Sequence, residues 1–184
     1  RTMSFDRQDA VAGARALFWR RGYDSASTGD LEAATGLSRS SIYNTFGSKR
    51  GLFDAAIESY LDDVVRPLLA PLQAHPVAPA ALDDYLARLA ATIAAQDRRD
   101  EVRGCLLLAT ASSSLADDPE SRSSITGYRA TLEHAITRGT SALALPDATG
   151  TLVTAAVVGA LTMARVDTRS AVDALSAARV TIRA

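Results

Sequence analysis

"LEAATGLSRSSIYNTFGSKRGLF", residues 31–53, places two glycine turns between short helical patterns. Gly36 ends the first pattern because glycine adopts a positive φ at little cost, and Ser38 then offers a hydroxyl to the first amides of the next helix. Gly47 and Ser48 repeat this arrangement before a third pattern. Helix, turn and short helix in this order predict a helix-turn-helix. Its inward-facing apolar residues are expected to be Leu31, Ala34, Leu37, Ile42 and Phe46.

The second helix of this motif is expected to have two different faces. If Ile42 and Phe46 are buried, helical geometry turns their polar neighbours outward. These neighbours are Arg39, Ser40, Tyr43 and Asn44. Such side chains suit hydrogen bonding in the major groove of DNA, where Arg39 fits a guanine edge or a phosphate and Asn44 fits an adenine edge. A short polar helix on an ordinary surface, with Tyr43 covering the edge of a core, is the alternative.

Three helix starts add a predicted affinity for phosphate. The N-termini expected at Thr28, Ser38 and Lys49 present amides without helical partners, and the positive end of a helix dipole, to an anion. Ser27 and Asp30 form a capping-box pattern at the first of them. Lys49 is the only lysine of the chain and stands in a first helical turn, where a positive charge is unfavourable. A DNA phosphate at Lys49 would remove that cost.

The rest of the chain is also helical in pattern. Apolar residues recur at helical spacing, which predicts about nine helical segments and no strand. Pro67 and Pro71 are expected to kink or end the fourth segment. The predicted segments are residues 7–22, 27–36, 38–46, 49 to these prolines, 80–96, 101–116, 119–143, 147–166 and 169–183. The sequence therefore predicts an all-α fold in which an N-terminal helix-turn-helix precedes a larger helical part.

Charge and composition limit the kinds of partner and the cellular location that we expect. The net charge is −1, but residues 1–50 carry eight Lys/Arg against five Asp/Glu, which is compatible with an anionic partner for this part alone. The single cysteine, Cys105, excludes an internal disulfide and indicates a reducing compartment. The opening residues hold no apolar run, and the uncharged stretch at 148–164 is shorter than the roughly 20 residues of a membrane span. We expect a cytoplasmic protein that does not enter the membrane.

The motif resembles the DNA-binding domain of the TetR family of bacterial transcriptional repressors. The resemblance covers residues 7–53 and includes the preceding "LFWRRGYDSAST", the Gly36–Leu37–Ser38 turn, Tyr43, Phe46, and Gly47–Ser48–Lys49 followed by Leu52–Phe53. It implies phosphate contacts at Thr28, Tyr43 and Lys49. It implies groove contacts at Arg39, Ser40, Ser41 and Asn44, on a helix that starts at Ser38.

Two positions depart from the pattern of this family. Glu32 stands where the family usually has a small alanine, so the packing of the second helix on the third is expected to differ. Asn44 and Thr45 replace the commoner aromatic or histidine residues before Phe46, so no operator sequence is carried over. The resemblance implies a helix-turn-helix DNA-binding domain at residues 1–48 and a helical effector-binding and dimerisation domain at residues 49–184.

A dimer surface is expected near the end of the chain, because one helix-turn-helix makes few contacts with a long operator. The segment "TLVTAAVVGALTMARV", residues 151–166, is apolar nearly all round, which indicates burial on more than one side. In the resembled family the last two long helices of each subunit form a four-helix bundle. The candidate interface residues are Leu152, Ala156, Gly159, Ala160, Met163, Val172 and Leu175. The alternative is the central core helix of a monomer.

Residues 80–145 resemble the ligand-binding region of the family, where an unknown small-molecule effector shifts the spacing of the DNA-binding heads. The candidate ligand contacts are Tyr85, Leu89, Cys105, Leu108, Ser112, Tyr128 and Leu132, although each is equally a core or surface residue. Nearby Arg99 and Arg103 would favour the thiolate of Cys105 and hence a sensor of electrophiles. A small buried hydrophobe is the other role that a lone cysteine takes.

The sequence lacks the motifs of other classes of protein. The sequence has no G-x-S-x-G, phosphate-loop or dinucleotide fingerprint, so we do not expect an enzyme or a cofactor. His75 and His134 lack partners at metal-ligand spacing, so no metal site is expected. The sequence predicts a repressor that binds a palindromic double-stranded DNA operator as a homodimer and is released by an effector. A helical protein-interaction module without DNA binding, or an electrophile sensor acting through Cys105, are the alternatives.

Overall fold

The computed structural model describes residues 7–99 and 102–183, which form helices joined by turns and contain no strand. The helices are α1 Arg7–Arg21, α2 Thr28–Thr35, α3 Arg39–Phe46, α4 Lys49–Tyr60, α5 Arg66–Gln73, α6 Ala81–Arg99, α7 Leu106–Thr110, α8 Pro119–Ala142, α9 Asp147–Met163 and α10 Thr168–Arg183. A π-helical turn, Leu61–Val65, joins α4 to α5 without a break. The predicted all-α class is confirmed.

The front of the molecule is a small helical unit built around α1, which packs on α2 and α4. Phe18 of α1 is fully buried, and its ring meets the edge of Phe53 with 5.1 Å between centroids. Gly13 allows the close crossing of α1 and α2, since a Cβ there would lie 2.1 Å from the carbonyl oxygen of Ala34. This packing fixes α2, and therefore the turn that leads into α3.

The predicted caps are present at the helix starts of this unit. Ser27 and Asp30 form the reciprocal hydrogen bonds of a capping box. Ser38 Oγ accepts a hydrogen bond from the amide of Ser41, and Ser48 Oγ accepts one from the amide of Gly51. Gly36 ends α2 at φ 68° and Gly47 ends α3 at φ 77°, values that favour glycine. These local signals place α3 between two well-defined ends.

The helix that begins at Lys49 does not end at the prolines. It continues through the π-helical turn into α5, with Pro67 in the first turn of α5 and Pro71 inside it. Pro67 has no amide to donate to the preceding turn, and the extra residue of a π turn lies directly ahead of it. The proline-rich segment is therefore helical to Gln73, and only residues 74–80 form the connection to α6.

The sixth predicted segment, residues 101–116, is wrong in extent. Only Leu106–Thr110 forms a helix, whereas residues 111–118 form turns and residue 101 lies outside the described part of the chain. Gly104 at φ 68° precedes this helix, and a Cβ there would lie 2.4 Å from the carbonyl oxygen of Leu161. The positive φ of Gly104 lies outside the range of a right-handed helix, so the helix starts only after this residue.

The rear of the molecule packs α6, α8, α9 and α10 together, with α10 lying on both α6 and α9. Asp83 of α6 accepts hydrogen bonds from two arginines of α10, at 2.9 Å from Arg179 Nη2 and 2.7 Å from Arg183 Nη2. These bonds lower the pKa of Asp83 to about 2. The pair of arginines therefore fastens α10 to α6. Within the described residues, the helices are too short or too polar to cross a membrane.

Candidate nucleic-acid interface

The two faces of α3 differ as the sequence predicts. Ile42 is buried in the hydrophobic core, with 1% of its surface exposed. Arg39, Ser40 and Asn44 are exposed, and 42% of the surface of Tyr43 is accessible. Phe46 is only partly buried, with the guanidinium of Arg7 5.2 Å from the centre of its ring. Ile42 therefore fixes α3 in the core. Phe46, at the end of this helix, is less buried than predicted.

Arg39 and Tyr43 form a pair on the exposed face, one helical turn apart. The guanidinium carbon of Arg39 lies 5.6 Å from the centre of the Tyr43 ring, within the range of a cation–π contact. Arginine commonly binds guanine edges and phosphates, and a tyrosine hydroxyl donates to phosphate oxygens. This contact holds the guanidinium along the helix surface, close to the exposed side chains of Ser40 and Asn44.

The start of α3 is densely hydrogen-bonded. Ser38 Oγ lies 3.0 Å from the hydroxyls of both Ser40 and Ser41, of which Ser41 is partly buried. The backbone amide of Arg39 donates a hydrogen bond of 2.6 Å to Glu32 Oε1 of α2. The sequence marked Glu32 as a departure that alters packing between these helices, but its contact with the Arg39 amide was missed. No local pattern connects residues seven apart across a turn.

The start of α2 also has an acidic partner. Thr28 is partly buried in its first turn. Asp30 accepts from the amide and hydroxyl of Ser27 and lies 2.7 Å from Arg21 Nη1. These hydrogen bonds from Ser27, together with the charge of Arg21, lower the pKa of Asp30. An anion thus already occupies part of this N-terminus.

Lys49 has partners within the chain, which the sequence reasoning did not foresee. Its ammonium nitrogen lies 4.5 Å from the centre of the Tyr23 ring, so the ring face stabilises the charge. Burial lowers the pKa of Lys49, and the negative charge of Asp24 opposes that shift. Asp24 in turn accepts hydrogen bonds from the amide and hydroxyl of Ser114. A phosphate is therefore not required to explain a lysine at this position.

Charged contacts also join the front unit to the rear. Arg50 at the start of α4 pairs with Asp54, with Asp118 at 2.8 Å and with Glu120 at 3.4 Å. Asp118 is the N-cap residue of α8. Sequence patterns give no sign of the bridges to Asp118 and Glu120, because these residues lie about seventy positions from Arg50 along the chain.

Trp19 of α1 makes a second connection between front and rear. Its indole nitrogen donates a hydrogen bond of 3.1 Å to the carbonyl oxygen of Gly104, ahead of α7. Its own carbonyl oxygen accepts from Arg165 Nη1 at 3.2 Å, just beyond the end of α9. The Trp19 ring also meets the edge of the Tyr60 ring, with 4.9 Å between centroids. A displacement of Tyr60 or Gly104 would therefore be transmitted to α1 through these contacts of Trp19.

A cavity of about 60 Å³ lies where these elements meet. Four predicted ligand contacts line it: Tyr85, Leu89, Tyr128 and Leu132. Trp19 and Tyr60 line it too, and were missed because they belong to α1 and α4. Leu108 and Ser112 are not part of this lining, and Ser112 is exposed at the end of α7. Among the described residues that line the cavity, no side chain carries a formal charge at neutral pH.

Cys105 lies behind this lining rather than in it. It is buried, with 1% of its surface exposed, among three buried tyrosines. Burial raises the pKa of Tyr60, Tyr85 and Tyr128, and each of them lies close enough to Cys105 to interact with it electrostatically. The side chain of Arg99 lies outside the described residues. The surroundings of the thiol are those of a small core residue.

The expected dimer residues divide into two groups. Leu152 is 64% exposed and Met163 44% exposed, Gly159 is open to solvent, and Ala156 and Val172 are partly buried. Ala160 and Leu175 are instead buried inside the chain's own core, at 1% and 0% exposure, and offer no surface to a partner. Val166, in the turn after α9, and Val180 of α10 are also exposed, by 83% and 68%. The outer face of α9 and α10 therefore shows large apolar side chains.

Known sequences match mainly the front unit of the chain. The family model described as "Bacterial regulatory proteins, tetR family" matches residues 10–56. The chain is 34% identical over 105 residues to the HTH-type transcriptional repressor ComR of Escherichia coli K12, covering 56% of this chain and 49% of ComR. It is 47% identical over 47 residues to the repressor AcnR of Corynebacterium glutamicum, covering 26% of this chain and 25% of AcnR. The chain thus spans half or less of the length of these curated relatives.

Comparison with solved structures extends over nearly the whole chain. The TetR family transcriptional regulator CifR, as a cysteine mutant complexed with 26-base-pair operator DNA, superimposes with a TM-score of 0.79. The match covers 98% of each chain at 26% sequence identity. The rear helices, which the family model does not reach, therefore have the same arrangement as in that regulator.

Proposed function

The chain belongs to the TetR family of bacterial regulatory proteins, and we propose that it is a transcriptional repressor that binds a palindromic DNA operator as a homodimer. The observation that carries this proposal is the polar outer face of α3, displayed by a helix whose inner face is fixed in the core by Ile42. A helix of this kind fits the major groove, where base-edge donors and acceptors are exposed. The proposal includes no catalytic activity and places the protein in the cytoplasm.

The DNA contacts in this proposal fall into two kinds. Base-edge contacts come from Arg39, Ser40, Ser41 and Asn44. Contacts with the phosphate backbone come from Thr28, Tyr43 and Lys49, and Ser38 caps the helix that carries the base-edge contacts. For Lys49 to bind a phosphate, its ammonium must exchange part of its contact with the Tyr23 ring for the anion. Backbone contacts position the protein on the duplex, and base contacts select the sequence.

The proposal also assigns a different function to each of two domains. Residues 1–48 form the DNA-binding domain, and residues 49–184 form the effector-binding and dimerisation domain. The homodimer would form through the outer face of α9 and α10, at Leu152, Ala156, Gly159, Met163 and Val172. A large exposed apolar face is costly in a monomer and typical of a subunit interface. Twofold symmetry in the protein matches a palindrome in the DNA.

The effector in this proposal is an uncharged, mostly apolar small molecule that enters the cavity beside Trp19. A charged ligand there would lose its hydration and meet no opposite charge among the described lining residues, at a cost of several kcal/mol. The cavity of about 60 Å³ is far smaller than the roughly 300 Å³ of a typical ligand site, so binding requires its walls to move. Two of these walls, Trp19 and Tyr60, belong to helices that pack in the front unit.

A matched pair of compounds tests the effector class. Titration with an aromatic alcohol and with the carboxylate of the same carbon skeleton can be followed by the fluorescence of Trp19, the only tryptophan. We expect the alcohol to change the emission and to release DNA, and the carboxylate to do neither. Equal binding of both would contradict an uncharged effector.

A salt series tests DNA binding itself. Fluorescence anisotropy of a labelled duplex is measured with the full chain between about 50 and 200 mM salt, a range over which phosphate contacts lose affinity steeply. We expect the affinity to fall by about tenfold or more over this range. A helical protein-interaction module would show little DNA binding at any salt concentration, and that result would overturn the proposal.

The electrophile-sensor alternative is tested by alkylation. The burial of Cys105 and its three tyrosine neighbours favour a core role. We expect an uncharged alkylating reagent to modify the folded protein slowly and to leave DNA affinity unchanged until it unfolds the chain. Rapid modification with loss of DNA binding, absent in Cys105→Ser, would establish the sensor.

A further inference from the structure

Glu32 holds the first amide of α3. Its Oε1 accepts a hydrogen bond of 2.6 Å from the backbone nitrogen of Arg39, the first residue of that helix. The first amides of a helix have no partner within it, and their dipole attracts anions. Ser38 Oγ already binds the amide of Ser41 in the same turn. The carboxylate of Glu32 therefore occupies the position at which this helix would otherwise bind an anion from solution.

The three helix starts of the front unit differ in this respect. The α2 start carries Asp30 in its first turn, and the α3 start receives Glu32 from a different helix. The first turn of α4 contains no acidic residue and begins with Lys49. Of the three N-termini, that of α4 therefore suits a DNA phosphate best, and that of α3 suits one least.

We propose that Glu32 is a specificity-determining residue that keeps DNA phosphates away from the N-terminus of α3, so that this helix engages DNA through its exposed side chains. This inference rests on the proposed DNA-binding function. A phosphate at a helix N-terminus binds equally well whatever the base sequence, and so raises affinity for all DNA alike. Occupying the site with a carboxylate lowers that common affinity. The ratio of operator affinity to random-DNA affinity rises as a result.

A purely structural role makes a different prediction. If Glu32 only fastens α2 to α3, its removal loosens α3 and weakens binding to the operator, with no gain for random DNA. If Glu32 excludes a phosphate, its removal adds one phosphate contact, and random DNA binds more tightly. Binding to random DNA separates the two roles, because it becomes tighter only if the carboxylate keeps a phosphate away from the Arg39 amide.

The experiment compares Glu32→Ala and Glu32→Gln with the unaltered full chain and with Glu58→Gln. Glu32→Ala frees the Arg39 amide, whereas Glu32→Gln removes the charge and keeps an oxygen acceptor. Glu58 is an exposed carboxylate on α4, so its variant controls for the loss of one negative charge. Affinity is measured by anisotropy for a selected operator duplex and for a random duplex over a salt series, and thermal melting checks the fold of each variant.

We expect Glu32→Ala to bind random DNA about two- to fivefold more tightly, in line with the effect of an anion at a helix N-terminus. Its ratio of operator to random affinity should fall as a result. Glu32→Gln, whose side-chain oxygen still accepts from the Arg39 amide, should bind random DNA as the Glu58→Gln control does. Glu58→Gln should behave as the unaltered chain.

Two results would overturn the inference while leaving the proposed function standing. One is a Glu32→Ala variant that folds and binds random DNA no more tightly than the unaltered chain. The other is a gain for random DNA in Glu32→Gln as large as that in Glu32→Ala, which would assign the effect to the charge rather than to the occupied amide. If the unaltered chain shows no salt-dependent DNA binding at all, both the inference and the proposed function fail.

Discussion

Two helices, α3 and α9, each bury one face in the chain and display the other to solvent. The displayed face of α3 is polar, with Arg39, Ser40 and Asn44 exposed around the buried Ile42. The displayed face of α9 is apolar, with Leu152 64% exposed. The groove of DNA offers hydrogen-bond donors, acceptors and water, whereas a second copy of the chain offers an equally apolar surface. The chemistry of each outer face therefore indicates its partner.

The two helices are also held differently. The position of α3 depends on two glycine turns, a serine cap and one carboxylate from α2. The position of α9 depends on packing along its length against α8 and α10. A single substitution on α3 therefore changes selectivity, whereas a single substitution on the outer face of α9 acts on assembly. Substitutions on the two outer faces, at Lys49 and at the attachment of α10 test this contrast.

Leu152→Glu should have the largest effect on DNA binding. Its side chain is mostly exposed, so the glutamate leaves the subunit core intact but buries a charge in the proposed dimer. We expect a monomer in sedimentation analysis, and operator affinity lower by about 100-fold or more because the second half-site no longer contributes. Thr131→Glu, on the exposed side of α8, is the control. A Leu152→Glu protein that stays dimeric would place the interface elsewhere.

Asn44→Ala should reduce operator affinity by about tenfold, since one bidentate base contact contributes about 1–3 kcal/mol. Random DNA should bind this variant as well as the unaltered chain, because no phosphate contact is lost. Both affinities are measured by anisotropy, with Thr45→Ala, the exposed neighbour, as the control. Equal losses on operator and random DNA would assign Asn44 to the phosphate backbone instead.

Lys49→Gln should weaken binding to operator and random DNA alike, by about fivefold, since a partly exposed charge pair contributes about 1 kcal/mol. The slope of log affinity against log salt should become shallower by about one. Tyr23→Leu, which removes the ring beneath the ammonium, should leave that slope in place. A Lys49→Gln slope equal to that of the unaltered chain would show that Lys49 serves only the Tyr23 contact.

Asp83→Asn should have the smallest effect, because it acts on the attachment of α10 to α6 rather than on either outer face. We expect a loss of about 1 kcal/mol in unfolding free energy at pH 7. The folded-state pKa of Asp83 is lowered from 3.8 to about 2, so this stabilisation is fully present above about pH 4 and is lost as pH falls through 2. Denaturant unfolding at several pH values measures it, with the exposed Asp84→Asn as control. A difference that persists below pH 2 would contradict an electrostatic cause.

The front unit was more predictable from sequence than the rear because its signals are local. Glycine at positive φ and serine at an N-cap act within four residues, so the ends of α3 and the burial of Ile42 could be derived. The contact of Glu32 with the Arg39 amide depends on the angle between two helices. The contact of Lys49 with the Tyr23 ring joins a helix start to a loop. Neither of these two contacts can be predicted from the spacing of the residues along the chain.

The outer face of α9 shows why the rear was harder. This helix is apolar nearly all round, so its sequence does not indicate which side faces the core. Of the candidate interface residues, Gly159 and Met163 are exposed, whereas Ala160 is buried. In α3 the contrast between Ile42 and its polar neighbours marks the inner face at once. Which side of a uniformly apolar helix is buried depends on the helices that pack against it, and these are distant in sequence.

Selection of bound fragments from random DNA, performed with the unaltered chain and with Asn44→Ala, tests most directly whether the polar face of α3 reads DNA. We predict a palindrome whose half-sites lie on one face of the duplex, with one base position per half-site losing its preference in the variant. No enriched sequence with the unaltered chain, or the same sequence with unchanged preferences in both proteins, would contradict the account.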